Sequence, residues 1–190
     1  MATFIVVYDA GILHPAPLRD LLIRLAHRSL VQAKWTDPIL DEVFNSIIER
    51  RPDLDRNRLD RTRRMMNEAV PDCLITGHEG LADTIDLPDE GDRHVLAAAI
   101  RAGAQGIVTA NLKDFPKAKL EPLGSEAIHP DRFLLDLLDL VPAVVVGCLM
   151  EQAGALRNPP LRLVDLLEKL EANGLLQSMA EVRRLTGVGG

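Results

Sequence analysis

Aromatic side chains are scarce in this 190-residue chain: one Trp, one Tyr and four Phe make up 3% of it. Leu, Ile, Val and Ala therefore have to fill the core. Little remains for the base-stacking platforms that single-strand nucleic-acid binders use. Cysteine is nearly absent as well. Cys73 and Cys148 stand far apart with no CxxC spacing, which argues against a disulfide framework or a zinc knuckle and reads as two buried thiols acting as small hydrophobes. Positive charge is in deficit, with a formal net charge of -6, so no global basic field gathers nucleic acid. Contact with it needs a local basic patch, or a cation that offsets carboxylates. Long apolar runs are missing too. The longest uncharged runs, Ala102 to Leu112 and Leu140 to Met150, fall well short of the ~20 residues of a membrane span. The opening MATFIVVYDAG has no basic segment before its first acid, Asp9, and does not read as a signal peptide. The expectation is a cytoplasmic protein without a membrane partner.

Hydrophobic residues at 47% and charged residues at 26% suit one domain with a substantial core, or one domain with an appendage. Phe4 to Tyr8 is apolar without alternation, as in a strand buried on both faces. It ends at Asp9-Ala10-Gly11. Leu18, Leu21, Leu22, Leu25 and Ala26 then follow at helical spacing. Asp37-Pro38 predicts a second helix, with Asp37 as N-cap and Pro38 in the first turn. Pro52-Asp53 breaks it, and a polar, arginine-rich helix is expected over 55–69. Cys73 to Thr76 and Leu81 to Leu87 are ambiguous. Pro88-Asp89 opens a helix over 90–102 with Gly103 as its cap. Gly106 to Thr109 reads as another buried strand, followed by a loop from Ala110 to Pro116. Strands alternating with helices predict an α/β fold with a parallel sheet. Beyond Pro130 the pattern is helical to Leu185. Turns are marked by Pro142, by Asn158-Pro159-Pro160 and by Asn173-Gly174. The expected division is 1–128 for the α/β domain and 129–190 for a C-terminal all-helical extension of three or four helices.

Ligands of an open parallel sheet bind beyond the carboxyl ends of its strands. The first strand delivers Asp9 there, and the second delivers Thr109, Asn111 and Asp114. The helix after Pro88 carries Asp89 and Asp92 in its first turn, and the helix after Pro38 carries Asp41 and Glu42. Carboxylates that converge repel one another and persist together when partly protonated or when a cation binds. Mg²⁺ favours a few carboxylates plus waters and substrate phosphate. A cluster of Asp9, Glu42, Asp92 and Asp114 therefore suits hydrolysis of a phosphodiester. Each acid also has a plainer reading. Asp89 and Asp92 resemble a capping pair, Glu42 a solvated helix face, and Asp114 a turn former. Asp9 has the weakest plain reading, because a carboxylate that closes a buried strand needs a partner.

The four segments, taken in order, resemble the PIN-domain ribonucleases. Asp9-Ala10-Gly11 follows a hydrophobic first strand. Trp35-Thr-Asp-Pro-Ile-Leu-Asp-Glu42 supplies the acid of the second helix region. Asp89-Glu-Gly-Asp-Arg-His-Val-Leu-Ala-Ala-Ala99 supplies the helix acid followed by alanines, and Gly106-Ile-Val-Thr-Ala-Asn-Leu-Lys-Asp-Phe115 supplies the closing strand and loop. The resemblance covers about residues 3–128, and the helical tail resembles that of a VapC-type toxin subgroup. It implies a PIN-like parallel β-sheet flanked by helices. It also implies a Mg²⁺-dependent endoribonuclease that cuts structured RNA such as tRNA or rRNA, is restrained by a cognate antitoxin protein, and forms a homodimer. Asp9, Asp92 and Asp114 carry over as metal ligands, and Glu42 joins them as a catalytic acid. Thr109, Asn111 and Asp89 are candidate supports. Asp92 is preferred to Asp89 because it directly precedes the Val-Leu-Ala-Ala run. Carboxylate and water ligation suits Mg²⁺ and Mn²⁺ alike.

Seven arginines lie between Arg50 and Arg64 against three acids, a local net charge of +4 in a chain of -6. Arginine forks match phosphate geometry, and Arg56, Arg61, Arg63 and Arg64 are the expected RNA contacts. The plainer reading is a solvated face with i,i+4 pairs such as Asp60 to Arg64. His94 is expected to be a surface or packing residue. An aspartyl-phosphate phosphatase is disfavoured, because the position two after Asp9 is Gly11 and not a second acid. A dinucleotide fold lacks its glycine-rich turn. The non-enzymatic alternative is a degenerate PIN module that binds RNA or a protein partner without cutting.

Overall fold

The computed structural model describes residues 4–155 and 160–188. Four short strands, β1 (Ile5–Tyr8), β2 (Gln32–Lys34), β3 (Gly106–Val108) and β4 (Glu126–Ile128), form one parallel sheet in the order β2-β1-β3-β4. Helices α1 (Ala10–Leu13) and α2 (Ala16–His27) connect β1 to β2. Helices α3 (Asp37–Arg50), α4 (Arg56–Ala69), α5 (Glu79–Ala82) and α6 (Arg93–Ala102) lead back past β1 to β3. Helix α7 (Lys117–Leu120) precedes β4. The α/β expectation with a parallel sheet holds.

The central strands are the ones whose apolar runs stand out. Val6, Val7, Tyr8, Ile107 and Val108 have no exposed surface, as strands covered on both faces require. The edge strands β2 and β4 carry no such run, and the sequence reading passes over both. At Gly106 a Cβ would lie 2.8 Å from Ile128 Cδ1 and 3.4 Å from Val6 Cγ1. Glycine there lets β3 sit tightly between its neighbours. Beyond β2, Trp35 bridges in parallel to Leu74, which places the ambiguous segment after Cys73 beside the sheet.

Helix boundaries depart from expectation in two places. The N-cap of α3 is Thr36, whose hydroxyl accepts from Ile39 N at 3.2 Å, while Asp37 is the first helical residue. Thr36 is fully buried, so its hydroxyl has to be satisfied locally, and the exposed Asp37 is free to pair elsewhere. The helix expected over 90–102 begins instead as a 3-10 turn, Glu90–Asp92, before α6. Gly103 does cap it, in the left-handed conformation at φ 61°.

Four helices follow β4: α8 (Pro130–Leu140), α9 (Pro142–Ala155), α10 (Leu163–Glu171) and α11 (Leu176–Thr186). Asn158 and Pro159 of the expected turn lie outside the described residues. The helices pack on the sheet domain and share its core. Tyr8 of β1 stacks on Trp35 with centroids 6.3 Å apart and meets Phe133 of α8 edge-on at 6.2 Å. Buried Gln152 donates to Pro17 O at 2.8 Å, and Glu151 pairs with Arg28. Both contacts fasten α9 to α2. Among the described residues no single helix is long and apolar enough to cross a membrane, and the α8–α9 pair bends by 119°.

One buried carboxylate ties the tail together. Asp131 accepts from the backbone N–H groups of Gln177 (2.9 Å) and Ser178 (2.8 Å) and from the Ser178 hydroxyl (2.5 Å). It satisfies free donors in the first turn of α11 from a position 46 residues upstream. Asp131→Ala is expected to lower unfolding free energy by about 2–3 kcal/mol, since hydrogen bonds to a charged group are lost and buried donors are left bare. Urea denaturation checks this; a loss below about 0.5 kcal/mol would contradict the assigned role.

Candidate active site

The chain leaves β1, visits β2 on one side, and returns to β3 on the other. The crevice at this reversal lies beyond the carboxyl ends of β1 and β3. Register alone decides what stands there. Tyr8 pairs with Val108, so the next residues, Asp9 and Thr109, face each other across the crevice. Thr109 Oγ1 donates to Asp9 Oδ2 at 2.8 Å, and Ala10 N donates to Asp9 Oδ1 at 2.7 Å. Thr109 is fully buried and Asp9 nearly so. Burial pushes the Asp9 carboxyl above its ordinary value. The two donors oppose that shift, nearby Glu42 adds to it, and His94 counters it.

The hydrogen-bonded chain continues outward. Thr109 Oγ1 accepts from Asn111 N at 3.1 Å, and the Asn111 side chain donates to Asp114. Asp114 closes the 3-10 turn Leu112–Asp114. Across the crevice, Asp89 caps the turn before α6 by accepting from Gly91 N at 2.8 Å. Asp92, at the junction of that turn and α6, makes no capping bond. Oxygens of Asp89, Asp92 and Asp114 all lie within 4.8 Å of one another. Asp92 is half-buried and its pKa is pushed up to about 6, first by desolvation and then by Asp9, Asp89, Asp114 and Glu42. It is therefore the carboxylate on which the repulsion of the other four converges.

The donor set suits a hard divalent cation: oxygen atoms only, excess negative charge, and one side open to solvent. Asp89 combines both roles weighed from the sequence, a cap through one oxygen and a cluster member. Glu42 on α3 reaches the same crevice with its side chain 51% exposed.

His94, expected as a surface or packing residue and not a base, is partly buried and meets an acid across the crevice, a contact the sequence reading does not foresee. Its Nε2 lies 2.7 Å from Glu42 Oε1 with the side chain 20% exposed. Contact with Glu42 raises its pKa against the pull of desolvation, with Asp9 and Asp92 adding to the rise. The available signal was spacing: two residues after Asp92, at the very start of α6, a side chain remains at the sheet's carboxyl edge.

The expected RNA contacts separate. Arg63 Nη1 lies 2.5 Å from Asp41 and Nη2 2.6 Å from Asp37. It therefore braces α4 against α3, with its guanidinium committed to two acids, and is withdrawn as a free RNA contact. Arg56, Arg61 and Arg64 are exposed and make no ion pair among the described residues. The expected Asp60–Arg64 pair does not form among them either.

Comparison with known proteins follows the same outline. Residues 3–113 match the family described as PIN domain, and residues 130–184 match the family described as VapC50 C-terminal domain. A relative from Mycobacterium tuberculosis bearing the name "Putative ribonuclease VapC50" is 45% identical over 94 residues, covering 50% of this chain and 55% of that protein. The chain thus matches about half the length of that curated relative. No solved structure matches it.

The electrostatics of Asp92 give a signed prediction. Its folded pKa, about 6, exceeds the ordinary 3.8, so its ionised form is penalised by folding. That penalty is fully present above about pH 6 and relieved as pH falls toward the unfolded value. In EDTA, Asp92→Asn should melt above the wild type at about pH 8, with the gap closing by about pH 4. Added Mn²⁺ should reverse the order at about pH 8. A variant that melts below the wild type at the higher pH in EDTA would refute the assignment of Asp92 to the centre of the repulsion.

Proposed function

The chain belongs to the PIN-domain family, and on that footing we propose that it is a metal-dependent endoribonuclease of the VapC type. The observation that carries this reading is the meeting of Asp89, Asp92 and Asp114, whose oxygens lie within 4.8 Å of one another, with Asp9 and Glu42 near enough to push the Asp92 pKa upward. Asp9, Asp92 and Asp114 would hold Mg²⁺ or Mn²⁺. When bound, such an ion withdraws charge from a phosphoryl oxygen and acidifies a water molecule.

The chain's own residues do the rest. Thr109 and the Ala10 N–H orient Asp9 and oppose the upward pull of burial on its pKa. Asn111 fixes Asp114 and keeps the turn closed. Glu42, half-exposed and next to His94, would sit beside the ion, orient an attacking water on the open side and take its proton. Asp89 and Asp92 would add their negative charge to the hold on the cation from the start of α6. Arg56, Arg61 and Arg64 offer phosphate contacts along α4 in a chain whose net charge otherwise repels RNA. The substrate in this reading is structured RNA such as tRNA or rRNA, as the VapC resemblance implies. A cognate antitoxin that blocks the crevice, a homodimer and a cytoplasmic location complete the proposal. They rest on the VapC resemblance.

Purified protein incubated with total bacterial RNA should make discrete cuts with Mg²⁺ or Mn²⁺ and none with EDTA. Asp9→Ala should lower the rate by at least about 100-fold, as expected when a group that acts on the reacting centre is removed. Intact RNA beside calorimetrically silent metal would favour a binding module without cleavage. Cuts that persist in EDTA would place the activity elsewhere.

Charge reversal on α4 tests the substrate contact separately. Arg61→Glu with Arg64→Glu should raise KM several-fold and flatten the dependence of binding on salt, with kcat nearly unchanged. Unaltered salt dependence in filter-binding measurements would remove α4 from the RNA path.

A further inference from the structure

We infer that His94 is a positioning residue for Glu42, holding that carboxylate toward the metal-binding acids across the mouth of the crevice. The inference rests on the nuclease reading above.

Glu42 is the least constrained member of the cluster. Asp9 accepts two hydrogen bonds, Asp114 is held by Asn111, and Asp89 is held by Gly91 N. Glu42 has a longer side chain, is half exposed, and meets no other side-chain partner than His94 among the described residues. Left alone, such a side chain samples many rotamers. A carboxylate that has to sit near an ion cannot be left to that freedom.

His94 is fixed where Glu42 is not. It is the second residue of α6, and the four residues after it, Val95, Leu96, Ala97 and Ala98, are buried at 2% exposure or less. That anchors the helix, and so the ring's attachment, against the sheet. On the other side, Leu40 and Val43 flank the attachment of Glu42 and are buried too. The 2.7 Å contact between Nε2 and Oε1 therefore joins two rigid helices from opposite walls.

The other face of the ring supports the same role. His94 Nδ1 is buried without a partner among the described residues. An apolar residue would fill that space without leaving a bare nitrogen, so the ring is not explained as packing. Its one polar contact among the described residues is the carboxylate. Nε2 and Oε1 stand 2.7 Å apart, an ion pair whenever the ring is protonated. The contact needs only a proton on Nε2, which both the neutral Nε2–H tautomer and the imidazolium carry.

Because the contact runs through Nε2, the two amide substitutions separate reach from mere polarity. Glutamine places its amide nitrogen near the Nε2 position, and asparagine places it near Nδ1. Mn²⁺ affinity is measured by titration calorimetry for the intact chain and for His94→Ala, His94→Asn, His94→Gln, Glu42→Gln and His94→Ala/Glu42→Gln, with melting temperature recorded for each. Expected are losses on the order of 10-fold for His94→Ala and His94→Asn. His94→Gln should stay within about threefold of the wild type. The double variant should bind no more weakly than Glu42→Gln, because the two residues act as one unit. Folded His94→Ala and His94→Asn with wild-type Mn²⁺ affinity would overturn the inference, and so would strictly additive losses in the double variant. A wild type that cuts RNA and binds Mn²⁺ while the variants match it discards only the role given to His94. A wild type that does neither discards the nuclease reading and this inference with it.

Discussion

The hydrogen bond from Thr109 to Asp9 is the joint on which this molecule is organised. It exists because β1 and β3 are adjacent, parallel and in a register that sets Tyr8 against Val108. A shift of one residue would turn Asp9 away from Thr109 and leave a buried carboxylate without its side-chain donor. Everything else at the crevice is placed relative to that pair. Asn111 and Asp114 extend from Thr109, while Asp89, Asp92 and His94 enter from the start of α6. Sheet topology supplies the location, and the Thr109 hydroxyl together with the Ala10 N–H lessens the cost of burying a carboxylate there.

Five carboxylates around one crevice are a liability for the empty fold, and the structure absorbs it unevenly. Asp9 is shielded by donors, Asp89 by a backbone amide, Glu42 by an imidazole. Asp92 is left with the sum of the repulsion. The neighbouring acids Asp37 and Asp41 lie on α3 just beside Glu42, yet Arg63 neutralises both. The arginine-rich helix therefore does two jobs. One guanidinium confines negative charge to the crevice, and Arg56, Arg61 and Arg64 are exposed and unpaired among the described residues.

The buried parts of this design are the ones legible in the sequence. Asp9 and Thr109 are legible because strands buried on both faces read as unbroken apolar runs, and the residue that ends such a run is forced to the sheet's edge, whereas Asp92 and Asp114 are legible through their motifs and the family resemblance. The edge strands β2 and β4 were not recoverable. Three residues with mixed exposure carry no period, and their pairing is decided by neighbours distant in sequence. Thr36 was passed over in favour of Asp37 because both are good caps, and only burial distinguishes them. His94 was passed over because a lone histidine on an alanine-rich helix looks like packing until the opposite wall, with Glu42, is in place. The four tail helices were visible as elements, but their docking against α2 and β1 depends on tertiary contacts such as Gln152 to Pro17 that leave no periodic mark.

The chain's single indole and single phenol, Trp35 and Tyr8, are stacked together where the sheet, the arginine-rich helix and the tail meet. Tyr8 touches Phe133 of the tail, and the Trp35 N–H donates to Asn67 of α4 at 2.9 Å. Nearly all the near-ultraviolet signal of the protein therefore originates at one junction. Any event that parts the tail from the sheet, or α4 from its seat, changes the surroundings of both chromophores at once. The scarcity of aromatics that limits this protein as a base-stacking surface gives it an intrinsic optical gauge of its own assembly, one that needs no added label.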